Sequence, residues 1–113
     1  MPGNWQDSAV DATITPKDGH TYLTAWCRNE NGDVQQSQLD LDEHIGDMQN
    51  KFSWLKSGFT RDAIQDSIKF EFREGASQQP VLRARFALDA PEADINTAEH
   101  IRNHDGQLEF DLL

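Results

Sequence analysis

Apolar and polar residues alternate with a period of two in four short segments of the chain. In the first of them, Leu23, Ala25 and Cys27 alternate with Tyr, Thr and Trp. The four segments are residues 20–27, 68–72, 82–88 and 108–112. Strands that bury one face show this alternation, so the pattern predicts four strands whose apolar side chains, including those of Leu88 and Leu112, are buried.

Turns and short helical segments complete the predicted architecture. Lys-Asp-Gly and Asn-Gly-Asp triplets, which tolerate a positive φ, stand at residues 17–19 and 31–33. The segments around 42–45 and 97–101 can each form one helical turn, with Asp42 or Thr97 near the N-cap. The local pattern therefore predicts an all-β fold with short helical turns.

The chain consists of two copies of one unit. Two stretches carry Glu-His-Ile at the same place and then an apolar pair: LDLDEHIGDMQNKFSW at 39–54 and INTAEHIRNHDGQLEF at 95–110. Two further blocks align in the same order, 5–14 with 59–68 and 23–27 with 82–86. The changes in length fall in EGASQQP and DAPEAD, where Gly, Pro and Ala predict loops. Such a pattern indicates a duplicated folded unit, with repeat one at about 5–58 and repeat two at about 59–112.

Charge and cysteine content limit the partners and the compartment. The formal net charge is −10 at pH 7, which repels phosphate backbones and anionic lipids, so we expect neither nucleic acid nor a membrane as partner. Cys27 is the one cysteine, so no intrachain disulfide can form. The stretch MPGNWQDSAV has neither the basic nor the apolar region of a secretory signal. We therefore expect a cytoplasmic protein with a single domain at 1–113.

The repeated motif resembles that of the cyanovirin-N homology family, in its disulfide-free, fungal form. Each copy places Trp or Phe four residues before an Ala, and then Leu-x-Ala-x-Cys or Leu-x-Ala-x-Phe. The resemblance extends from Trp5 to Asp111, and its most specific part is INTAEHIRNHDGQLEF. The family consists of lectins with two tandem repeats. The resemblance implies a cyanovirin-N-like fold of two pseudo-symmetric lobes, each with a three-stranded sheet and a β-hairpin.

The family fold interleaves its two repeats. By this resemblance a terminal lobe comprises residues 1–44 and 100–113, and a middle lobe comprises 45–99. The founding members carry a cysteine pair in each repeat, and the matching positions here are Ala9 with Cys27 and Ala63 with Phe86. We interpret them as apolar replacements for lost disulfides. The linker at 55–58 contains Gly and no Pro, and we expect a monomer, with a domain-swapped dimer as the alternative.

The resemblance further implies a carbohydrate-binding lectin for mannose, chiefly α1-2-linked mannosides of high-mannose glycans, with no metal and no cofactor. Asp, Asn and backbone amides around a tight turn can pair with the adjacent hydroxyl groups of a sugar. Carried over one position at a time, the candidate site residues are Asn4, Asp7, Ser8, Arg28, Asn29, Glu30, Asn31, Asn103, His104 and Asp105. We give Asp105 the most weight and expect Gly106 to let the backbone approach the ligand.

The equivalent positions of the middle lobe suit a sugar less well. Asn103-His-Asp-Gly becomes Asp47-Met-Gln-Asn, and Ala87 and Leu88 stand where polar contacts are expected. The residues that keep the fold are present twice, and those that face the ligand are present once. We therefore predict one functional sugar site, in the terminal lobe.

Metal binding is a weaker interpretation of the histidines and acidic residues. His100 and His104 have the spacing of zinc ligands on a helix, but Gly106 limits a helix there. We interpret His44 and His100, which occupy equivalent places, as bonding their own turns. The acidic run at 40–43 lacks the glycine of a dedicated calcium loop and is interpreted as a solvated face.

Catalysis is not expected either. A glycosidase needs two opposed carboxylates, and Asp7 and Asp105 are the pair that could converge. An open, shallow cleft would do little to desolvate either of them. We therefore expect no enzyme. A protein-interaction scaffold that retains the fold without binding sugar stays open as the alternative.

Overall fold

The computed structural model of the chain describes residues 4–74 and 78–112. The strands of this part of the chain are β1 (Ala9–Lys17), β2 (His20–Arg28), β3 (Val34–Asp40), β4 (Ile45–Met48), β5 (Lys51–Trp54), β6 (Lys69–Glu74), β7 (Gln79–Ala84), β8 (Ala93–Asn96), β9 (Ile101–His104) and β10 (Gln107–Phe110). One four-residue α-helix, α1 (Phe59–Asp62), lies between β5 and β6. Single 3₁₀ turns span Trp5–Ser8, Leu41–Glu43, Gln65–Ser67 and Thr97–Glu99.

The strands form two three-stranded antiparallel sheets and two hairpins. The sheets have the orders β1-β2-β3 and β6-β7-β8, and the hairpins are β4-β5 and β9-β10. This arrangement confirms the all-β fold with two repeated lobes. Strand β10, from the end of the chain, packs on β3, and β5 packs against β8. The bounds of the two lobes stay a prediction.

The core follows the alternation that the sequence shows. Leu23, Ala25 and Cys27 point inward from β2 and are fully buried, as predicted. The β1-β2 hairpin closes through Asp18 and Gly19, which have φ values of 53° and 81°. Two successive residues with positive φ match the right-handed twist of the flanking strands, which explains the Asp-Gly pair at this turn.

Two apolar residues predicted to be buried in strands are exposed. Strand β7 ends at Ala84, and the Leu88 side chain beyond it is 89% exposed. The ladder stops because the backbone N–H of Arg85 donates to Ser67 Oγ at 2.9 Å rather than to a neighbouring strand. Leu112 lies past the end of β10 and is 61% exposed. Alternation therefore overestimated the length of both strands.

The two predicted helical turns are 3₁₀ turns, and their N-caps lie two residues before Asp42 and one residue before Thr97. The Asp40 carboxylate accepts from the N–H of Asp42 at 3.0 Å, and the Asn96 side chain accepts from the N–H of Ala98 at 2.9 Å. Asp40 and Asn96 are thus the caps, and Asp42 and Thr97 lie inside the turns. An Asp or Asn side chain commonly forms such a cap by accepting a hydrogen bond from the backbone N–H two residues later.

The acidic run at 40–43 is not the solvated face that the sequence suggested. Asp42 is only 3% exposed. Its carboxylate accepts from the N–H of Thr21 at 2.7 Å, from the N–H of Thr60 at 2.9 Å and from the Thr60 hydroxyl at 2.6 Å. A buried carboxylate is tolerated when its oxygens are hydrogen-bonded in this way. Asp42 therefore joins β2 to α1.

The N–H of His44 donates to the carbonyl oxygen of Leu41 in its own turn, as expected, but the side chains of both repeated histidines contact other elements. The His44 ring stacks on Phe110, with centroids 4.4 Å apart and planes inclined by 6°. At the equivalent place, the His100 ring meets Trp54 edge-on at 5.0 Å, and its Nδ1 is 2.9 Å from the carbonyl oxygen of Asp111. These four rings form a cluster in which each repeat contributes one histidine and one other aromatic residue.

The positions matched to family cysteines are apolar, and those of the first repeat are neighbours across two strands. Ala9 lies opposite Cys27 in the β1-β2 pairing, and both side chains are buried. Burial raises the pKa of the Cys27 thiol. In the second repeat Ala63 is buried, and the Phe86 ring packs edge-on against Phe52 at 5.2 Å.

Candidate functional site

Three segments that are distant in sequence meet at one end of the β1-β2-β3 sheet. They are the 3₁₀ turn at 4–8, the β2-β3 turn at 28–31 and the β9-β10 turn at 103–106, and we call them together the terminal-lobe surface. The Asn103 side-chain amide donates to Ser8 Oγ at 2.7 Å and to the carbonyl oxygen of Arg28 at 2.9 Å. One side chain thus holds the three segments together.

Asp105 links two of these turns. One of its carboxylate oxygens, Oδ1, accepts from the backbone N–H of Glu30 at 2.8 Å. Asp105 and Gly106 both have positive φ, 50° and 88°, and the N–H of Gly106 donates to Asn103 Oδ1 at 2.8 Å. No hydrogen bond to Asp105 Oδ2 occurs among the described residues, so this oxygen can accept from a ligand hydroxyl.

Asn29 shapes the β2-β3 turn from within. Its side-chain oxygen accepts from the N–H groups of Asn31 and Asp33, at 3.0 and 3.1 Å. Its amide nitrogen donates to Gln35 Oε1 at 3.2 Å. Because oxygen and nitrogen are both engaged, Asn29 positions the turn more than it offers groups to a ligand.

The remaining candidates differ in how closely they approach this centre. Asn4 is placed beside β9 by a bridge to Arg102, and Asp7 follows it in the 3₁₀ turn with an exposed side chain. Arg28, Asn31 and His104 also have exposed side chains, which form no hydrogen bonds within the described part of the chain. The structure therefore brings the side chains of Ser8 and Asn103 into contact, and it brings the Asp105 carboxylate to the backbone N–H of Glu30. The other charged and polar candidates lie around these two contacts.

Gln35 and Ser37 belong to this end of the molecule and are not among the candidates from sequence. The Gln35 amide donates to the carbonyl oxygen of Gly106 at 3.2 Å, and Ser37 Oγ accepts from the N–H of Leu108 at 3.0 Å. A Cβ on Gly106 would lie 2.5 Å from Gln35 Cδ. Gly106 therefore makes room for Gln35, and its predicted role in letting the backbone approach a ligand stays a prediction. Gln35 and Ser37 alternate with exposed residues along β3, and this alternation was the sequence signal that could have pointed to them.

The equivalent centre of the middle lobe has different chemistry. Asp47 replaces Asn103, and Asp62 replaces Ser8, so a donor and an acceptor become two carboxyl groups. Desolvation, together with the hydrogen bond to Asp62 and its charge, raises the pKa of Asp47 to about 6. Met48 and Leu88, at the places of His104 and Asn29, are 51% and 89% exposed. This surface offers fewer hydrogen bonds than the terminal-lobe surface.

One group of side chains has the composition of a metal site. His20, Asp40 and Asp42 bring potential ligand atoms within 4.8 Å of one another. His20 Nδ1 lies 2.8 Å from an Asp40 oxygen, and both oxygens of Asp42 already accept hydrogen bonds. The group is thus explained by its role in joining β2, β3 and α1. His100 precedes strand β9 and His104 is its last residue, so the two histidines do not have the spacing of zinc ligands on a helix.

None of the helices in the described residues is long and apolar enough to cross a membrane.

Comparison with known proteins identifies the family. The model of the CVNH domain matches residues 5–109. A cyanovirin-N homolog of Neurospora crassa is 34% identical over 105 residues, which cover 90% of this chain and 93% of the relative. The chain belongs to the CVNH family.

Solved structures of relatives share the whole fold. The CVNH protein of Gibberella zeae is 38% identical, with a TM-score of 0.77 over 96% of this chain and 97% of that one. Microvirin, solved as a complex with mannobiose, is 25% identical, with a TM-score of 0.70 over 97% of this chain and 99% of that one. The protein therefore has the fold of this family over nearly all of its length.

Proposed function

We propose that the protein is a lectin that binds mannose-containing oligosaccharides, chiefly α1-2-linked mannosides, at the terminal-lobe surface. The observation that carries the proposal is the joining of three turns by Asn103 and Asp105, which leaves Asp105 Oδ2 and the surrounding polar side chains open to a ligand. The relative microvirin, whose structure contains mannobiose, supports the ligand class.

The expected affinity is modest. A sugar hydroxyl exchanges hydrogen bonds with water for hydrogen bonds with protein, and each exchange contributes about 1 kcal/mol. A few such bonds on an open surface give a dissociation constant between the millimolar and micromolar ranges, ~1 mM to ~1 μM. We propose that the chain acts as a monomer in the cytoplasm, a compartment in which a free thiol such as that of Cys27 stays reduced. Binding, not catalysis, is the role that this arrangement fits.

The experiment is a titration of the isotope-labelled chain with α1-2 mannobiose, followed by amide chemical shifts. We expect saturable shifts at residues 4–8, 28–31 and 103–106. The Asp105→Ala variant should abolish the shifts near 4–8. The matched control is Asp18→Ala, because Asp18 also precedes a glycine with positive φ but lies at the opposite end of the β1-β2 hairpin. Shifts that persist unchanged in Asp105→Ala would rule out this site.

A protein-interaction scaffold is the second candidate. It is favoured by the exposure of Met48 and Leu88 in the middle lobe, because exposed apolar side chains are typical of contact surfaces. The same titration separates the two functions. Silence across the whole spectrum with mannobiose would favour the scaffold, and saturable shifts would favour the lectin.

A further inference from the structure

A second cleft lies on the middle lobe, on the side of the β4-β5 hairpin that faces β8. Its volume is about 470 Å³. It is lined by Gln49, Asn50, Lys51 and Phe52 of the hairpin and by Ala90, Pro91, Glu92, Ala93 and Asp94. We call it the β5-β8 cleft. Small-molecule sites have volumes of roughly 300–1,000 Å³, so the cleft is large enough for one or two sugar rings.

The terminal lobe shows what fills the equivalent space there. The hydroxyl of Ser37 accepts from the N–H of Leu108, and the amide of Gln35 donates to the carbonyl oxygen of Gly106. These two side chains on β3 connect the sheet to the β9-β10 hairpin. The space is therefore occupied by one hydroxyl group and one amide group of the protein itself.

The second repeat lacks both groups. Ser37 lies opposite Ala25 in β2, and Ala93 lies opposite Ala84, the equivalent residue of β7. Ala93 thus replaces Ser37, and Pro91, two residues earlier, replaces Gln35. Neither replacement has a side-chain donor or acceptor. The β5-β8 cleft opens where these two side chains are missing.

The backbone of the hairpin still presents the groups that Ser37 and Gln35 would satisfy. The N–H of Leu55 donates to the carbonyl oxygen of His44 at 3.0 Å, which fixes the alternation of hydrogen-bonded pairs along the hairpin. Asp47 and Phe52 then form a non-hydrogen-bonded pair, so the N–H of Phe52 points away from β4. Leu108, its equivalent, donates in that direction to Ser37. Within the described residues no side chain accepts from the N–H of Phe52.

We propose that the β5-β8 cleft binds a neutral saccharide unit, at a site separate from the terminal-lobe surface. A sugar hydroxyl accepts from the N–H of Phe52, just as the Ser37 hydroxyl accepts from the N–H of Leu108 in the other lobe. A sugar O–H or acetamido N–H donates to the carbonyl oxygen of Asn50. The lining carries Lys51, Glu92 and Asp94, an excess of negative charge that disfavours anionic sugars. The choice of a saccharide rests on the proposed function.

A second site changes what the monomer can do. The sequence predicts a single sugar site, which a glycan can occupy but which cannot join two glycans. Two sites on opposite lobes allow one chain to bind two sugar units, and linked binding sites can raise the overall affinity by about 10²–10⁴.

The test uses the full, isotope-labelled chain and two probes, α1-2 mannobiose and a β1-4-linked disaccharide of N-acetylglucosamine. We expect at least one probe to shift the amides of Phe52 and residues 92–94 saturably. Restoring the terminal-lobe side chains with the double variant Pro91→Gln, Ala93→Ser should fill the cleft and weaken this binding about tenfold or more. Asp105→Ala should leave it unchanged. The matched control is Ala12→Ser, which adds the same hydroxyl at a half-buried position of β1, outside the cleft lining.

Hydrogen exchange checks, without a ligand, whether the N–H of Phe52 lacks the acceptor that the N–H of Leu108 has in Ser37. The amide of Phe52 should exchange faster than that of Leu108, and the double variant should slow it. The single variant Ala93→Ser repeats the measurement with a smaller change, should the double variant fold poorly.

The possible outcomes separate the two proposals. Shifts confined to the terminal-lobe surface with both probes would overturn the cleft site and leave the proposed function standing. The absence of shifts at every amide with both probes would overturn the cleft site and the proposed function together. Shifts at Phe52 that the double variant and Ala93→Ser leave unaltered would also overturn the cleft site.

Discussion

Asn103 Nδ2 lies 2.7 Å from Ser8 Oγ, and this hydrogen bond joins two residues from opposite ends of the chain. The same amide reaches the carbonyl oxygen of Arg28, so one residue organises the terminal-lobe surface. In the middle lobe Asp47 and Asp62 hold the equivalent positions, and two acceptors face each other unless one is protonated. The two lobes keep the same fold and differ most at this pair.

Replacing the Asn103 amide with a carboxylate should therefore weaken both folding and sugar binding. In Asn103→Asp, Ser8 can still donate, but the bond to the Arg28 carbonyl oxygen is lost and two acceptors are left facing each other. We expect a loss of about 1–3 kcal/mol in the free energy of unfolding at neutral pH. Urea denaturation measures the stability, and the mannobiose titration measures the affinity. Asn31→Asp, an exposed change in the same surface, is the control. A stability equal to that of the unaltered chain would contradict the role given to Asn103.

The Asp47–Asp62 pair predicts a pH-dependent stability. The pKa of Asp47 is about 6 in the folded chain, against an ordinary value of 3.8. The folded state thus binds this proton more tightly, and the pair lowers stability most above pH 6. As the pH falls from above about 6 towards 4, the folded chain binds the proton at a higher pH than the unfolded chain does, and the destabilisation by the pair disappears.

Asp47→Asn should remove that dependence. The variant should be more stable than the unaltered chain at about pH 8, by no more than about 1 kcal/mol because solvent screens a half-buried pair. The difference should shrink as the pH falls through about 6. Thermal melts of both chains over this pH range measure it. Asp66→Asn, at an exposed position in a 3₁₀ turn, should show no such trend. A difference that grows towards low pH would refute the assigned direction.

Asp42 should be far more important for stability than its exposed neighbour Glu43. Its carboxylate accepts three hydrogen bonds from Thr21 and Thr60, so Asp42→Ala leaves two buried N–H groups and a hydroxyl without their acceptor. We expect a loss of about 3–5 kcal/mol, since buried groups that lose a charged partner are costly. Glu43→Ala should change the stability by less than about 0.5 kcal/mol. Equal effects of the two substitutions in urea denaturation would contradict the network.

Gly46 should not tolerate a side chain, for reasons of space. A Cβ there would lie 2.6 Å from Lys56 Cβ and 2.7 Å from the carbonyl oxygen of Ser57. Gly46→Ala should lower the free energy of unfolding by about 1–3 kcal/mol, because the linker would have to move away from β4. Gly32→Ala is the contrast, since nothing lies within 4 Å of a Cβ there and only the positive φ of 85° opposes it. A thermal melt of Gly46→Ala that matches that of the unaltered chain would show that the linker is not held against β4.

The fold could largely be predicted from the chain because its signals are local and occur twice. Alternation predicted the buried face of β2, and Asp-Gly predicted the turn after β1, since both depend on neighbouring residues. The ends of strands were predicted less well. Leu88 continues the alternation of β7, yet the strand ends earlier because Ser67 captures the next backbone N–H.

The binding surface was harder to predict for the same physical reason. Sequence placed Asn103 and Ser8 among the candidates, but their contact depends on three segments folding together. Gln35 was missed because its partner, the carbonyl oxygen of Gly106, is a backbone group with no mark in the sequence. Asp42 was taken for a surface residue because its burial depends on threonines of β2 and α1.

The sequence by itself determined that this is a duplicated β-rich unit, because repeated apolar spacing and turn residues act over short distances along the chain, and its repeated motif carries the resemblance to the CVNH family. Only the tertiary structure decided which polar residues support the fold and which face solvent. A carboxylate or amide can do either, and the choice depends on which N–H and C=O groups the distant segments bring beside it. For that reason the β5-β8 cleft, which arises where Ser37 and Gln35 have no counterpart, could be recognised only by comparing the two folded lobes.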